Sequence, residues 1–387
     1  MSPVKSAKKV INFGPGPAKL PEAVLEQAQR EMMNSGDNGI SILETSHRSA
    51  KCANLIQETD QHLRDLMSIP NNYKVLFLQG GGTGQFAAVP LNLRFLSKSE
   101  SPSADYVITG CWSAKAAKEA SKYLDVSPCI DPPLKQYTHI PDENAWHHSS
   151  DAAYLFYCAN ETVHGVEFAN VPENGTRPLV ADISSNILSK PMDVSKHGVM
   201  FAATQKNIGA AGLTVVIVRD DLLDHACSLC PSILEYHAQA TNNSILNTPP
   251  IYSIYLTNLV LKWLIDAGGI DEMERRNVAK AKLIYDVIDN SNGFYHCPVA
   301  KDCRSRMNVP FNISPSNASD KDPGDATAAL LEKRFLSGAE ERAMISLKGH
   351  RSVGGIRASL YNAIDFDEVS QLAQYMKEFH EQYCQTM

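Results

Sequence analysis

Short apolar runs that alternate with helical stretches and glycine breaks constrain this chain more than any other feature. From residue 74 the pattern is strand, glycine run, helix: Lys74–Leu78, then Gly80-Gly81-Gly82-Thr83-Gly84, then Gln85–Arg94. Further apolar runs follow at Ala104–Ile108, Tyr154–Tyr157, Leu179–Ala181, Val199–Ala203 and Leu213–Val218, with helical segments such as Ala114–Tyr123 between them. Strands that alternate with helices predict an α/β domain on a largely parallel sheet. Residues 1–20, with Gly14, Pro15, Gly16 and Pro17, read as an irregular arm, and Pro21–Asn34 as a helix.

Ser253–Ile265 reads as a mostly buried helix that Gly268-Gly269 breaks. Asp271 with Glu274 then predicts a capping box for a helix running to about Asp289. That break divides the chain into a large domain, 21–268, and a smaller C-terminal α/β domain, 269–387. A polar loop is expected within the second, over 314–327.

A length of 387 residues suits two domains. The composition, 43% hydrophobic and 20% charged, excludes general disorder. A net charge of −7 argues against nucleic acid or a membrane surface as partner. An anionic ligand must therefore be met by local positive charge. The apolar runs fall short of the ~20 residues of a spanning helix, and no targeting segment is visible, so a cytoplasmic location is expected. Nine cysteines without a signal peptide predict reduced thiols. Cys227-x-x-Cys230 lacks the second ligand pair of a zinc site, so no metal is expected. His147-His148 reads as a surface pair.

Ligands of open α/β sheets bind beyond the carboxyl ends of the strands. Asp182 closes the run Leu179–Ala181, Lys206 follows Val199–Ala203, the glycine run follows Leu78, and Trp112 follows the run ending at Ile108. Each has an ordinary structural reading alone: a capping aspartate, a solvated lysine, a tight turn. Together they suit pyridoxal phosphate, which needs a lysine, an acidic partner for its pyridine nitrogen and a phosphate cradle. The glycine run lacks both dinucleotide and Walker spacing.

At this point the chain resembles the phosphoserine aminotransferases, within the class V aminotransferases of fold type I. The likeness runs from Asn12-Phe13-Gly14-Pro15-Gly16-Pro17 to Arg357-Ala358-Ser359-Leu360-Tyr361-Asn362-Ala363. Between them lie Ser46-His47-Arg48-Ser49, the run 79–86, Asn160-Glu161-Thr162, Ala181-Asp182-Ile183-Ser184-Ser185, Gln205-Lys206-Asn207-Ile208-Gly209, Asn247-Thr248-Pro249-Pro250 and the run 349–357. The resemblance implies a large domain with a mainly parallel seven-stranded sheet and a smaller C-terminal α/β domain.

It also implies roles. Lys206 is the Schiff-base lysine and proton shuttle, Asp182 pairs with the pyridine nitrogen, Trp112 stacks on the ring and Thr162 bonds its phenolic oxygen. Gly82, Thr83 and Gln205 hold the cofactor phosphate, and Asn247 and Thr248 reach it from the neighbouring subunit of a homodimer. His47, Arg48, His350 and Arg351 form the substrate-phosphate site, and Arg357 anchors a carboxylate. Two His-Arg pairs suit a phosphate monoester, whose three oxygens accept from guanidinium forks and imidazoles. The implied reaction is ping-pong transfer of the amino group between L-glutamate and 3-phosphohydroxypyruvate, giving O-phospho-L-serine and 2-oxoglutarate, in serine biosynthesis. A same-fold lyase would instead need a nucleophilic cysteine on a mobile loop, for which Cys111 is the nearest candidate.

Overall fold

The apolar runs pair into the expected sheet, but several elements start where local pattern does not place them. The computed structural model describes residues 9–36, 39–314 and 326–384. In chain order its strands are β1 (Ile11–Asn12), β2 (Tyr73–Leu78), β3 (Ser103–Val107), β4 (Asp125–Pro128), β5 (Ala152–Cys158), β6 (Asn160–Glu161) and β7 (Val166–Glu167). There follow β8 (Leu179–Asp182), β9 (Val199–Ala203), β10 (Thr214–Arg219), β11 (Tyr295–His296), β12 (Asn308–Ile313), β13 (Met344–Ile345) and β14 (Ile356–Ser359). The helices are α1 (Glu22–Glu31), α2 (Ala50–Met67), α3 (Gly81–Leu93), α4 (Cys111–Ala120) and α5 (Tyr236–Thr241). The last four are α6 (Ile251–Asp266), α7 (Gly269–Asp289), α8 (Ala326–Glu341) and α9 (Phe366–Cys384).

Seven strands form one sheet in the order β2-β10-β9-β8-β5-β3-β4. Only β10 runs against its neighbours, pairing antiparallel with β2 and β9; the other pairs are parallel. Every residue of β5 and β9 is buried, because helices cover both faces, as a parallel sheet requires. One face packs on α2 and α6 through Leu55, Leu63, Leu155, Ile254 and Leu259. The other packs on α3 and α4 through Phe86, Ala117, Phe156 and Phe201.

A third core gathers Ile284, Phe311, Phe335, Leu372 and Phe379 around the antiparallel sheet β11-β12-β14. Ile11 and Phe13 belong to it, since β1 pairs parallel with β13. The N-terminal arm is thus partly a strand.

Two local expectations are corrected. The glycine run is not a loop: Gly80, at φ 98°, is the N-cap and Gly81–Leu93 is already helix. Asp271 and Glu274 form no capping box, because α7 starts earlier, behind Gly268 at φ 105°. The helix expected over Pro21–Asn34 is shorter, with Pro21 as its N-cap. Cys227 and Cys230 sit in a tight turn closed by the Cys230 N–H on the Cys227 carbonyl. The polar stretch over 314–327 lies, its ends apart, outside the described residues.

Candidate active site

Strands β8 and β9 and the short β6 end at one place, and their last residues set the site. Asp182 is the final residue of β8 and is 6% exposed. The Ser184 backbone N–H donates to its Oδ1 at 2.9 Å. Lys206 lies in the turn after β9, where Gly209 packs against α6 so closely that a Cβ would fall 2.4 Å from Thr257 Oγ1. Its Nζ donates to Thr162 Oγ1 at 2.7 Å and lies 5.3 Å from the Trp112 ring centroid. Arg357, on β14 and nearly buried, donates from Nη1 to the Thr162 carbonyl at 3.2 Å. Thr162 therefore joins a lysine and an arginine 151 residues apart in sequence.

Burial controls the charges here. It pushes the Asp182 carboxyl up, opposed by the Lys206 charge and by Ser184. It pulls the Lys206 amine down, opposed by Asp182, Cys158 and Glu161. The Arg357 guanidinium is likewise pulled below its ordinary value by burial. His164 falls to about 4 through burial and the charges of His350 and Arg357, so it is neutral. The Cys111 thiol is pushed up to about 11 by burial and by Glu161. It lies in the first turn of α4, not on a loop, and has neither the setting nor the thiolate of a nucleophile.

The first turn of α3 faces this cluster. A Cβ on Gly82 would lie 3.8 Å from Asp182 Oδ2 and 3.9 Å from Ser184 Oγ. The N-cap Gly80 offers no side chain, so the first N–H groups of α3 are free to meet an anion. Thr83 sits in that turn with an exposed side chain. Gln205 is half-buried beside Lys206, its carbonyl accepting from Ala18 N–H.

The remaining predicted residues fall into two groups. His350 is drawn down by burial and by the charges of Arg357, Lys115 and Arg351, which places His350 within reach of the Arg357 charge. His350 is fixed by Ser352 Oγ at 2.6 Å, and Arg351 is exposed. Asn247 and Thr248 sit instead beside Gln79: Asn247 Nδ2 donates to Gln79 Oε1 at 3.2 Å, and Gln79 Nε2 to the Thr248 carbonyl at 3.3 Å. His47 and Arg48 lie half-buried and exposed ahead of α2, with no described contact to Lys206, Asp182 or Arg357.

Sequence reasoning passed over Glu161 and His164 as individual residues. Glu161 is fully buried and accepts from the backbone of Trp112 and Ser113. Tyr137, between β4 and β5, also approaches the site, its ring standing edge-on to His164 at 4.9 Å. No local periodicity signals either contact.

Pyridoxal phosphate fits these residues. Trp112 Nε1 and Arg357 Nε are buried without a protein partner, an uncapped helix turn faces a buried carboxylate, and a lysine amine stands beside an aromatic ring. Arg357 Nε is a donor left for a ligand, since buried polar groups are otherwise satisfied.

The class-V aminotransferase family model matches residues 10–372. The chain is 54% identical to the phosphoserine aminotransferase of Drosophila melanogaster over 372 residues, covering 96% of this chain and 98% of that one. It is similar in structure to the phosphoserine aminotransferase from Bacillus circulans subsp. alkalophilus, with a TM-score of 0.90 and 40% identity over 97% of this chain and 99% of that one. The PLP-bound phosphoserine aminotransferase of Trichomonas vaginalis gives a TM-score of 0.88 at 38% identity, over 95% and 100%. The chain belongs to the class-V aminotransferase family.

Proposed function

We propose that the chain is a pyridoxal-phosphate phosphoserine aminotransferase, exchanging the amino group between L-glutamate and 3-phosphohydroxypyruvate to give O-phospho-L-serine and 2-oxoglutarate. The observation that carries the reading is the joining of Lys206, Thr162 and Arg357 at 2.7 and 3.2 Å beside Asp182, in a chain half identical to phosphoserine aminotransferases. When bound, the cofactor supplies an electron-withdrawing ring that lets a bond at the substrate Cα break.

The chain's own groups do the rest. The first turn of α3, at Gly82 and Thr83, and Gln205 would hold the cofactor phosphate. Asp182 would hold a proton on the pyridine nitrogen, Trp112 would offer its aromatic face to the ring, and Thr162 Oγ1 would serve the phenolic oxygen. Lys206, its amine lowered by burial, would take and hold the proton of the substrate Cα, the work of a general base. Arg357 grips the α-carboxylate common to both substrates. His350 and Arg351, with His47 and Arg48, meet the phosphate that only phosphoserine and its keto acid carry.

A homodimer completes this arrangement, with Asn247 and Thr248 reaching the partner's cofactor phosphate. Support comes from their described hydrogen bonds, which run to Gln79 and Gln239 rather than to Lys206, and from exposed apolar side chains. Met33, Ile40, Leu43 and Leu246 are 81%, 41%, 61% and 39% exposed, flanking His47 and Asn247 in sequence, and such surface favours a protein partner. The division at Gly268 into domains 21–268 and 269–387 belongs to the same reading, as do a cytoplasmic location and a role in serine biosynthesis. Among the described residues no helix is long and apolar enough to cross a membrane.

The test is a half-reaction screen. Purified holoenzyme is mixed with phosphoserine, glutamate, serine, alanine or cysteine, and the visible absorbance of the bound cofactor is followed. Rapid conversion by phosphoserine and glutamate, with slow conversion by the others, is expected. Equal conversion by serine and phosphoserine would overturn the substrate assignment.

A further inference from the structure

Two helix N-termini meet at the site, and they are treated differently. That of α3 has no side-chain cap. That of α4 begins at Gly110, which has no side chain to offer either. Helices normally take this cap from their own Ser, Thr, Asp or Asn. Here it comes from Glu161 on β6, 49 residues away: Oε2 accepts from Trp112 N–H at 3.0 Å, and Oε1 from Ser113 N–H at 2.8 Å and Ser113 Oγ at 2.6 Å. The carboxylate is 0% exposed. A Cβ at Gly110 would lie 2.1 Å from Glu161 Cδ, so glycine is demanded there by space, its backbone being plainly extended at φ −176°.

The residue after Glu161 is Thr162, which holds Lys206 and Arg357. The residue it caps is Trp112, whose buried indole Nε1 has no partner among the described residues to orient the ring. The Lys115 and Lys206 amines face the ring at 4.2 and 5.3 Å from its centroid, and the side chain packs against the apolar core shared by α3 and α4. Because Trp112 is the second residue of α4, where that helix begins helps to set the ring's position.

We propose that Glu161 is a positioning residue that registers the Trp112 ring to Lys206 and Thr162, so that the aromatic face meets the cofactor at a fixed angle. The proposal rests on the cofactor reading above. Three donors on one carboxylate resist displacement, since hydrogen bonds to charged groups are the stronger kind. The carboxylate also fills the N-terminus of α4 that could otherwise compete for the cofactor phosphate, leaving α3 as the anion cradle.

The experiment is a double-mutant cycle on the holoenzyme with Glu161→Gln and Trp112→Ala, read by cofactor dissociation constant and visible circular dichroism. Glu161→Gln is expected to reduce the visible dichroism and to raise the dissociation constant about two- to tenfold, the range of an aromatic stacking contact. In the Trp112→Ala background the same substitution is expected to change the constant less than about twofold, because coupled neighbours are not additive. An equal loss in both backgrounds, or unchanged dichroism and affinity in Glu161→Gln, overturns the proposal. Should Glu161→Gln not fold, Glu161→Asp decides: it keeps the charge, withdraws the carboxylate from the Trp112 and Ser113 donors by one methylene, and is expected to weaken the dichroism in the same direction, whereas wild-type values overturn the idea. A wild-type chain that takes up no pyridoxal phosphate overturns the functional reading instead.

Discussion

Replacing Arg357 with alanine tests the carboxylate anchor, and the structure sets the size of the effect. The side chain is 6% exposed, gives one N–H to the Thr162 carbonyl at 3.2 Å, and keeps Nε buried without a partner. The fold has already removed this guanidinium from water, so an arriving carboxylate that takes two of its donors gains charge-assisted bonds of about 1.5–3 kcal/mol each. Losing both amounts to about 3–6 kcal/mol, or about 10²–10⁴ in kcat/KM. Phosphoserine and glutamate both bring an α-carboxylate, so both should suffer. Arg357→Lys should recover only part, keeping charge without the fork. The assay is single-turnover kcat/KM for each substrate, corrected for cofactor occupancy because Thr162 also serves Lys206. A second readout is the His350 imidazole, which the Arg357 charge holds down; its titration should move upward in Arg357→Ala. A loss below about tenfold, or one confined to a single substrate, refutes the reasoning.

On the proposed function, Asp182→Asn removes the negative charge that would hold the pyridinium proton, and should cut the rate of proton transfer about 10²–10³-fold with cofactor still bound; an unchanged single-turnover rate would make Asp182 purely structural. Lys206→Ala should keep the fold by far-ultraviolet circular dichroism yet lose multiple turnover and the lysine-dependent visible band, and sustained turnover would reject the assignment. Stability should depend on pH through His197. It is 1% exposed, its Nδ1 lies 3.0 Å from the Asp193 carbonyl and its Nε2 2.8 Å from Tyr157 Oη, and burial lowers it to about 4. Above its unfolded value of about 6.5 both states are neutral; as pH falls toward 4 the unfolded chain binds the proton first, and about 3 kcal/mol is lost. Urea midpoints at pH 7.5 and 5 should therefore differ less in His197→Gln than in the wild type.

The parallel strands were legible because residues buried on both faces read as unbroken apolar runs, as at Val199–Ala203, which matches β9 residue for residue. Asp182 and Lys206 were visible as reactive residues at strand ends. The glycine run misled because low helix propensity reads as loop, whereas Gly80 at positive φ turns the chain and lets helix begin at once. Asp271 misled for the opposite reason: acidic residues suit both a cap and the first turn, and Gly268 had already started the helix. The β1–β13 pairing joins residues more than 300 apart, which no window of local periodicity can contain. Glu161 was quoted only as part of a motif, because its partners are backbone groups 49 and 48 residues away.

The proposed function turns on the cationic loop around Arg351 reading a phosphate while Arg357 reads the carboxylate. Arg351→Ala tests it through kcat/KM for phosphoserine and for glutamate, corrected for cofactor occupancy. Arg351 is exposed, and a charge-assisted contact of about 1.5–3 kcal/mol corresponds to about 10–150-fold. A loss of that order is expected for phosphoserine, with little change for glutamate. Equal losses for the two substrates would contradict it and leave an aminotransferase that does not read the phosphate through this residue.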